Sequence, residues 1–125
     1  MKSILIIDSD VITSALTAKF LSNYGHSVYV AHDGKEGLDR MGKQRFDLVL
    51  SEVELNGLSG FDTLKLMRKC YTDVPFAFLT SDDDRATRAE AEMMGAMALI
   101  SKRQEYINLP FILEKFFYPS HDLVA

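Results

Sequence analysis

A chain of 125 residues with 47% hydrophobic content has the material for one domain with a core and is too short for two. Its net charge is −4 and its Lys and Arg are scattered rather than gathered into a stripe, so the domain is not expected to bind nucleic acid. No apolar run approaches the ~18 residues of a spanning helix, so no membrane association is expected, and the single Cys70 fits a reducing, cytoplasmic setting.

Ile4–Ile7 is a short apolar run, the pattern of a strand buried on both faces, and it ends in Asp8-Ser9-Asp10. Because Asp8 breaks the run, the amino terminus does not read as a signal peptide. A helix follows. Ile12, Leu16 and Phe20 recur along it at spacing four, with Ala15 beside them, predicting one core-facing stripe. Asp10 is its natural N-cap and Gly25 closes it. Ser27–Ala31 is a second strand. Asp33-Gly34 is a turn and cap for a short helix through Leu38 and Met41 that ends near Gly42.

Leu48–Ser51 is the third buried strand, ending in the carboxylate of Glu52 and opening into a loop with Gly57 and Gly60. A third helix begins at Phe61 and carries Leu64 and Met67. Pro75 marks the restart into strand four, Phe76–Thr80. Ser81-Asp82-Asp83-Asp84 then caps a fourth helix bearing Ala86, Ala89 and Met93, which stops at Gly95. Ala98–Ile100 is a very short fifth strand leading to Ser101-Lys102. Residues 103–108 read as irregular. Asn108 caps a last helix with Pro110 in its first turn, where the missing N–H costs nothing, and with Ile112, Leu113, Phe116 and Phe117 as its core face; Pro119 ends it.

Five strands alternating with five helices predict a (βα)5 α/β fold: a doubly wound, five-stranded parallel sheet of order 2-1-3-4-5, with right-handed crossovers. Sites in such folds lie at the carboxyl edge, at the switch point between strands one and three. Asp8 and Glu52 meet there, and Thr80 and Lys102 reach the same edge. A flavodoxin-like nucleotide or flavin binder would need a Gly- or Ser/Thr-rich phosphate loop after a strand; the acidic Asp8-Ser9-Asp10 would repel phosphate.

Five segments together resemble the response-regulator receiver domains of two-component signalling, with a CheY-like fold: Ile4-Leu-Ile-Ile-Asp8, Asp47-Leu-Val-Leu-Ser-Glu52, Gly57-Leu-Ser-Gly60-Phe61, Leu79-Thr80-Ser81, and Gly95-Ala96 leading to Lys102. The resemblance covers residues 1–118 as one receiver domain and leaves 119–125 as either a terminal tail or the start of a linker. It implies a phosphoryl group accepted from a histidine kinase at the end of strand three. Mg²⁺ would be held by acids after strand one, and the phosphoryl oxygens by a Thr or Ser after strand four and a Lys after strand five.

The departures from that pattern fall on the chemistry. The acceptor position holds Glu52, one methylene longer than Asp. The second acid of the metal pair is Ser9, a poor Mg²⁺ ligand. Asp8 remains as a weak metal ligand, while Asp10 has its competing duty as a cap and Glu54 lies just beyond the acceptor. The loop proline is lost at Leu55-Asn56, the family's Lys-Pro is Lys102-Arg103, and the strand-five switching aromatic is Leu99. The expectation is an atypical, non-enzymatic pseudo-receiver: a phosphorylation-independent interaction or regulatory module with vestigial pocket residues Asp8, Ser9, Asp10 and Glu54. Thr80, Leu99 and Lys102 stand at the switch positions, and no cofactor is required (Mg²⁺ weak at best).

The alternative is a working Mg²⁺-dependent receiver phosphorylated at Glu52 or a neighbouring acid. Expected partners are a histidine kinase or other signalling protein, or an attached effector domain. A homodimer is also expected, through the last two helices and strand five, where Met93, Met94 and Leu99 supply adaptable apolar contact. Glu52 either imitates a phosphorylated acceptor or merely pairs with Lys102.

Overall fold

The structure is a computed structural model, and it describes residues 1–71 and 73–119. Five strands, β1 (Ser3–Ile7), β2 (Ser27–Ala31), β3 (Leu48–Ser51), β4 (Phe76–Thr80) and β5 (Ala98–Ser101), form one parallel sheet in the order β2-β1-β3-β4-β5. They alternate with α1 (Val11–Ser22), α2 (Gly34–Lys43), α3 (Gly60–Cys70), α4 (Arg85–Met93) and α5 (Leu109–Phe117). The expected fold class and strand order are observed. The expected tail runs mostly through residues 120–125, which lie outside the described residues.

The strands read as unbroken apolar runs because both sheet faces are covered. Alternation along each strand sorts the core into two clusters. Leu5, Ile7, Val49, Phe76 and Phe78 pack with Met41 of α2, Leu64 and Met67 of α3 and Ala91 of α4. Ile4, Ile6, Leu48, Leu50, Ala77 and Leu79 pack on the other face with Leu21 of α1 and Leu109 and Leu113 of α5. Asp10, Asp33 and Asp84 cap their helices as expected, and Ser59, which the sequence reading did not name, caps α3; each accepts the N–H three residues on.

Two helices present a different face to the core from the one their apolar spacing predicts. In α1, Ile12 and Leu16 are exposed, while Ser14, Thr17 and Leu21 are buried. The cause is local. The small side chains let α1 lie close to the sheet, and the Thr17 hydroxyl sits 2.8 Å from that of Tyr106, so the buried polar group is satisfied. In α4, Ala86, Ala89 and Met93 face solvent, and the inward side is Ala91 with the half-buried Thr87 and Met94. The segment read as irregular contains a short 3-10 turn, Tyr106–Asn108. Asn108 precedes α5 without a side-chain capping bond.

These faces predict opposite outcomes for two leucines five residues apart. Leu21→Ala should lower unfolding stability by about 2–5 kcal/mol, whereas Leu16→Ser should stay within about 0.5 kcal/mol of the parent, as read by urea denaturation.

Candidate functional site

The carboxyl ends of β1, β3, β4 and β5 frame a cleft of about 570 Å³ whose lining includes Asp8, Ser9, Asp10, Glu52, Glu54, Thr80, Asp82 and Lys102. Backbone bonds set its two central acids side by side. Asp8 N–H donates to Ala31 O on one side of β1, and Glu52 N–H donates to Ile7 O on the other. Lys102 is aligned by its own N–H, which donates to Thr80 O at 2.9 Å. Each acid or base therefore begins where a buried strand stops, and its side chain projects over the sheet edge.

Lys102 spans the cleft. Its Nζ donates to Asp8 Oδ2 and to Glu52 Oε2, both at 2.8 Å. The three side chains are only 14%, 8% and 16% exposed for Lys102, Asp8 and Glu52. Burial works against the Lys102 ammonium, yet the hydrogen bonds and charges of the two carboxylates outweigh it and hold its pKa above the ordinary 10.5. The remaining carboxylate oxygens are also engaged: Asp8 Oδ1 accepts from Asp10 N–H, and Glu52 Oε1 accepts from Val53 N–H, each at 2.9 Å.

The other expected residues divide. Ser9 is at the cleft, where its hydroxyl accepts the Asn56 N–H at 3.0 Å and so ties the β1–α1 loop to the β3–α3 loop. Asp10 caps α1 through Thr13, whose backbone bond keeps the Asp10 carboxyl below its ordinary value. Glu54 is exposed at the rim. Thr80 is fully buried, and its hydroxyl accepts the N–H of Asp82 at 3.0 Å, turning to its own loop rather than to Glu52. Leu99 is not brought to the cleft; it packs, half-buried, against the core beneath α4.

Close packing shapes the loop below Glu52. A Cβ at Gly60 would run into the backbone carbonyl of Glu52 and the ring of Phe78, so only glycine lets α3 start this close to the end of β3. Gly57, at φ +79°, turns the chain back toward that start.

One polar cluster beside the cleft was not legible in the sequence. Asp83 accepts from the Ser101 hydroxyl and from Arg103 at 2.5 Å each, which holds its carboxyl below the usual range, the Arg103 bond being the larger cause. Arg88 adds bonds to the carbonyls of Asp83 and Leu99, both at 3.1 Å. The acidic run 82–84 signals a helix start; which of its acids turns to β5 depends on contacts that spacing does not encode.

Against known proteins, residues 4–113 match the family described as the response regulator receiver domain. The chain is 30% identical to the transcriptional regulatory protein ZraR of Escherichia coli over 98% of its own length and 28% of that protein's. It is 27% identical to the transcriptional regulatory protein CrdR of Helicobacter pylori, covering 93% of this chain and 55% of that one. The chain thus spans between about a quarter and about half of the length of these curated relatives. Among solved structures, the chemotaxis protein CheY4 of Vibrio cholerae superposes with a TM-score of 0.85 at 26% identity, covering 92% of this chain and 98% of that one.

Removing the shared cation should leave two buried carboxylates facing each other. Lys102→Met is expected to cost about 2–4 kcal/mol at neutral pH, toward the low side for a buried pair because the site opens on solvent. The sign with pH follows from the raised pKa of Lys102. Its contribution is complete below the ordinary lysine value of 10.5 and is lost as pH rises through the higher folded value. The gap between parent and variant in denaturation midpoints should therefore narrow in strongly alkaline buffer.

Proposed function

Because the chain belongs to the response regulator receiver domain family, we propose that it serves two-component signalling as an atypical receiver. In this reading it is a regulatory or interaction module that works without phosphorylation and catalyses no reaction of its own. The observation that carries the reading is the Lys102 ammonium seated between Asp8 and Glu52. Phosphoryl transfer is largely a matter of positioning and charge neutralisation: an acceptor oxygen in line, with cations at the developing charge. Glu52 carries its carboxylate one methylene further out than the family's acceptor, and both of its oxygens already have donors.

The donor set fits Mg²⁺ poorly. That ion prefers near-octahedral oxygen ligands with one or two carboxylates. Both oxygens of Asp8 are committed, and Ser9 offers a neutral hydroxyl already engaged by Asn56. The family's metal role therefore passes here to an internal cation, Lys102. Glu52 acts as a fixed structural anion rather than as a mimic of a phosphorylated acceptor. It supplies one charge and two oxygens where a phosphoryl group brings more of both, and Thr80 stays bonded to its own loop. Signalling proteins, whether a histidine kinase or an effector domain, are the partners this module would serve; the relatives ZraR and CrdR are described as transcriptional regulators.

Incubation with a small-molecule phosphodonor and Mg²⁺ should leave the intact mass unchanged. A phosphoryl adduct mapped to Glu52, Asp8 or Asp10 would overturn the proposal in favour of a working receiver. Restoring the chemistry should take two changes. Glu52→Asp alone withdraws the carboxylate from Lys102 but leaves the metal side short, whereas Glu52→Asp with Ser9→Asp should gain Mg²⁺ affinity to a Kd of about 1 mM, near 4 kcal/mol. Calorimetric titration reads both; parent affinity as tight as that of the double variant would contradict the account.

A further inference from the structure

The two edge strands of the sheet are finished differently. At β5, Lys102 N–H bonds Thr80 O of β4, so alternation turns the backbone groups of Leu99 and Ser101 outward. Side chains and the following turn close that edge. Arg88 donates to Leu99 O at 3.1 Å, Glu105 Oε1 accepts from Ser101 N–H at 3.0 Å, and Glu105 N–H donates to Ser101 O at 2.8 Å. At β2 the ladder to β1 uses alternate residues: Ser27 N–H donates to Lys2 O, and Ala31 O accepts from Asp8 N–H. Val28 and Val30 therefore turn their N–H and C=O groups away from the sheet, and no hydrogen bond among the described residues reaches those groups. The strand, Ser27-Val-Tyr-Val-Ala31, carries no charge and no proline, the devices that ordinarily blunt an open edge.

We propose that this open edge pairs antiparallel with the same edge of a second copy of the chain, β2 against β2, about a two-fold axis at Tyr29. Two features reserve the edge for that occupant. The first is register. With Tyr29 on the axis, Val28 stands opposite Val30 of the other copy, and the two exchange N–H···O=C bonds in both directions. The rotation repeats the exchange on the far side of the axis, so every outward group of Val28 and Val30 gains a partner. An extended peptide would meet the same row, but the second feature, charge, singles out the copy. Helix α2 lies along this edge: the Arg40 guanidinium stands 5.9 Å from the centre of the Tyr29 ring, and Glu36 Oε2 accepts the His32 N–H at 3.5 Å. Glu36 and Asp39 come first on its surface and Arg40 and Lys43 after them, all on one shallow cleft. The same two-fold runs α2 antiparallel to its copy, setting Glu36 toward Lys43 of the other copy and Asp39 toward Arg40. That order of signs complements itself only under such a rotation. The pairing does not depend on how the phosphorylation cleft works.

Sedimentation equilibrium on the parent chain should show a reversible monomer–dimer equilibrium, and amide exchange at Val28 and Val30 should slow as protein concentration rises. Val28→Pro removes an outward N–H that the β1 ladder does not use, so the chain should still fold. Its dimer should be weaker at least tenfold, about 1.4 kcal/mol. Charge reversal tests the same register without touching the strand. Lys43→Glu and Glu36→Lys should each weaken self-association severalfold, and mixing the two variants should restore it as a heterodimer. A parent chain that stays monomeric at every concentration overturns the proposal, and an extended peptide or another protein seated on β2 would then be the occupant. So does a dimer that leaves exchange at Val28 and Val30 unchanged, or one that withstands Val28→Pro in a folded chain. Mixed charge variants that associate no more tightly than either alone overturn it as well, and that result holds even where Val28→Pro fails to fold.

Discussion

Two carboxylates and one ammonium, drawn together over the edge of a parallel sheet, are the constraint on which the working end of this molecule depends. Asp8 follows β1, Glu52 follows β3 and Lys102 follows β5, so Lys102 reaches Glu52 across β4 and Asp8 across β4 and β3, joining β5 to strands that are not its neighbours. Like charges buried side by side repel strongly, and a shared cation turns that repulsion into attraction on both sides. With every carboxylate oxygen of the pair supplied with a donor, the cluster meets the condition under which buried charge is tolerable. It leaves both oxygens of each acid bonded to a donor.

The neighbouring loops are tied in the same manner, by hydrogen bonds from one loop to the next or within a loop. Ser9, standing where the family places a metal-binding acid, holds Asn56 of the β3–α3 loop. Arg103, standing where it places a proline, holds Asp83 of the β4–α4 loop together with Ser101. Thr80 is bonded within its own turn. A cluster of this kind is cooperative, since each bond fixes a group that another bond needs in place. The rim of the cleft is thereby a set of mutually supporting contacts.

Much of this was legible before any coordinates. The strands declared themselves because residues buried on both faces leave unbroken apolar runs, and the helix starts because Asp10, Asp33 and Asp84 have few better uses than capping. The positions of Asp8, Glu52, Thr80 and Lys102 followed from strand order alone. What failed was the choice of inward face on α1 and α4. Ile12, Leu16 and Phe20 describe a helical stripe of which only Phe20 packs against the core, because periodicity states that a stripe exists and not which side the sheet takes. Ser14 and Thr17 win because they are small and because Tyr106, eighty-nine residues later, supplies a partner for Thr17. Asp83 and Arg103 were hidden for a similar reason: a bridge between loops leaves no spacing.

The inward face of α1 also has a kinetic meaning. Helix α1 docks through Leu21 with the half-buried Ala18 and Phe20, and beside them it buries the polar Ser14 and Thr17. Detaching it would expose Leu21, Ala18 and Phe20, part the Phe20 ring from that of Tyr106 and break the hydroxyl contact of Thr17, so its opening forfeits apolar packing and a polar contact together. The amide protons of β1 and β3, sealed between two clusters, should exchange more slowly still. Asp10 stands at the start of the helix and Asp8 at the end of the sealed strand, so the two acids that flank Ser9 answer to different parts of the fold.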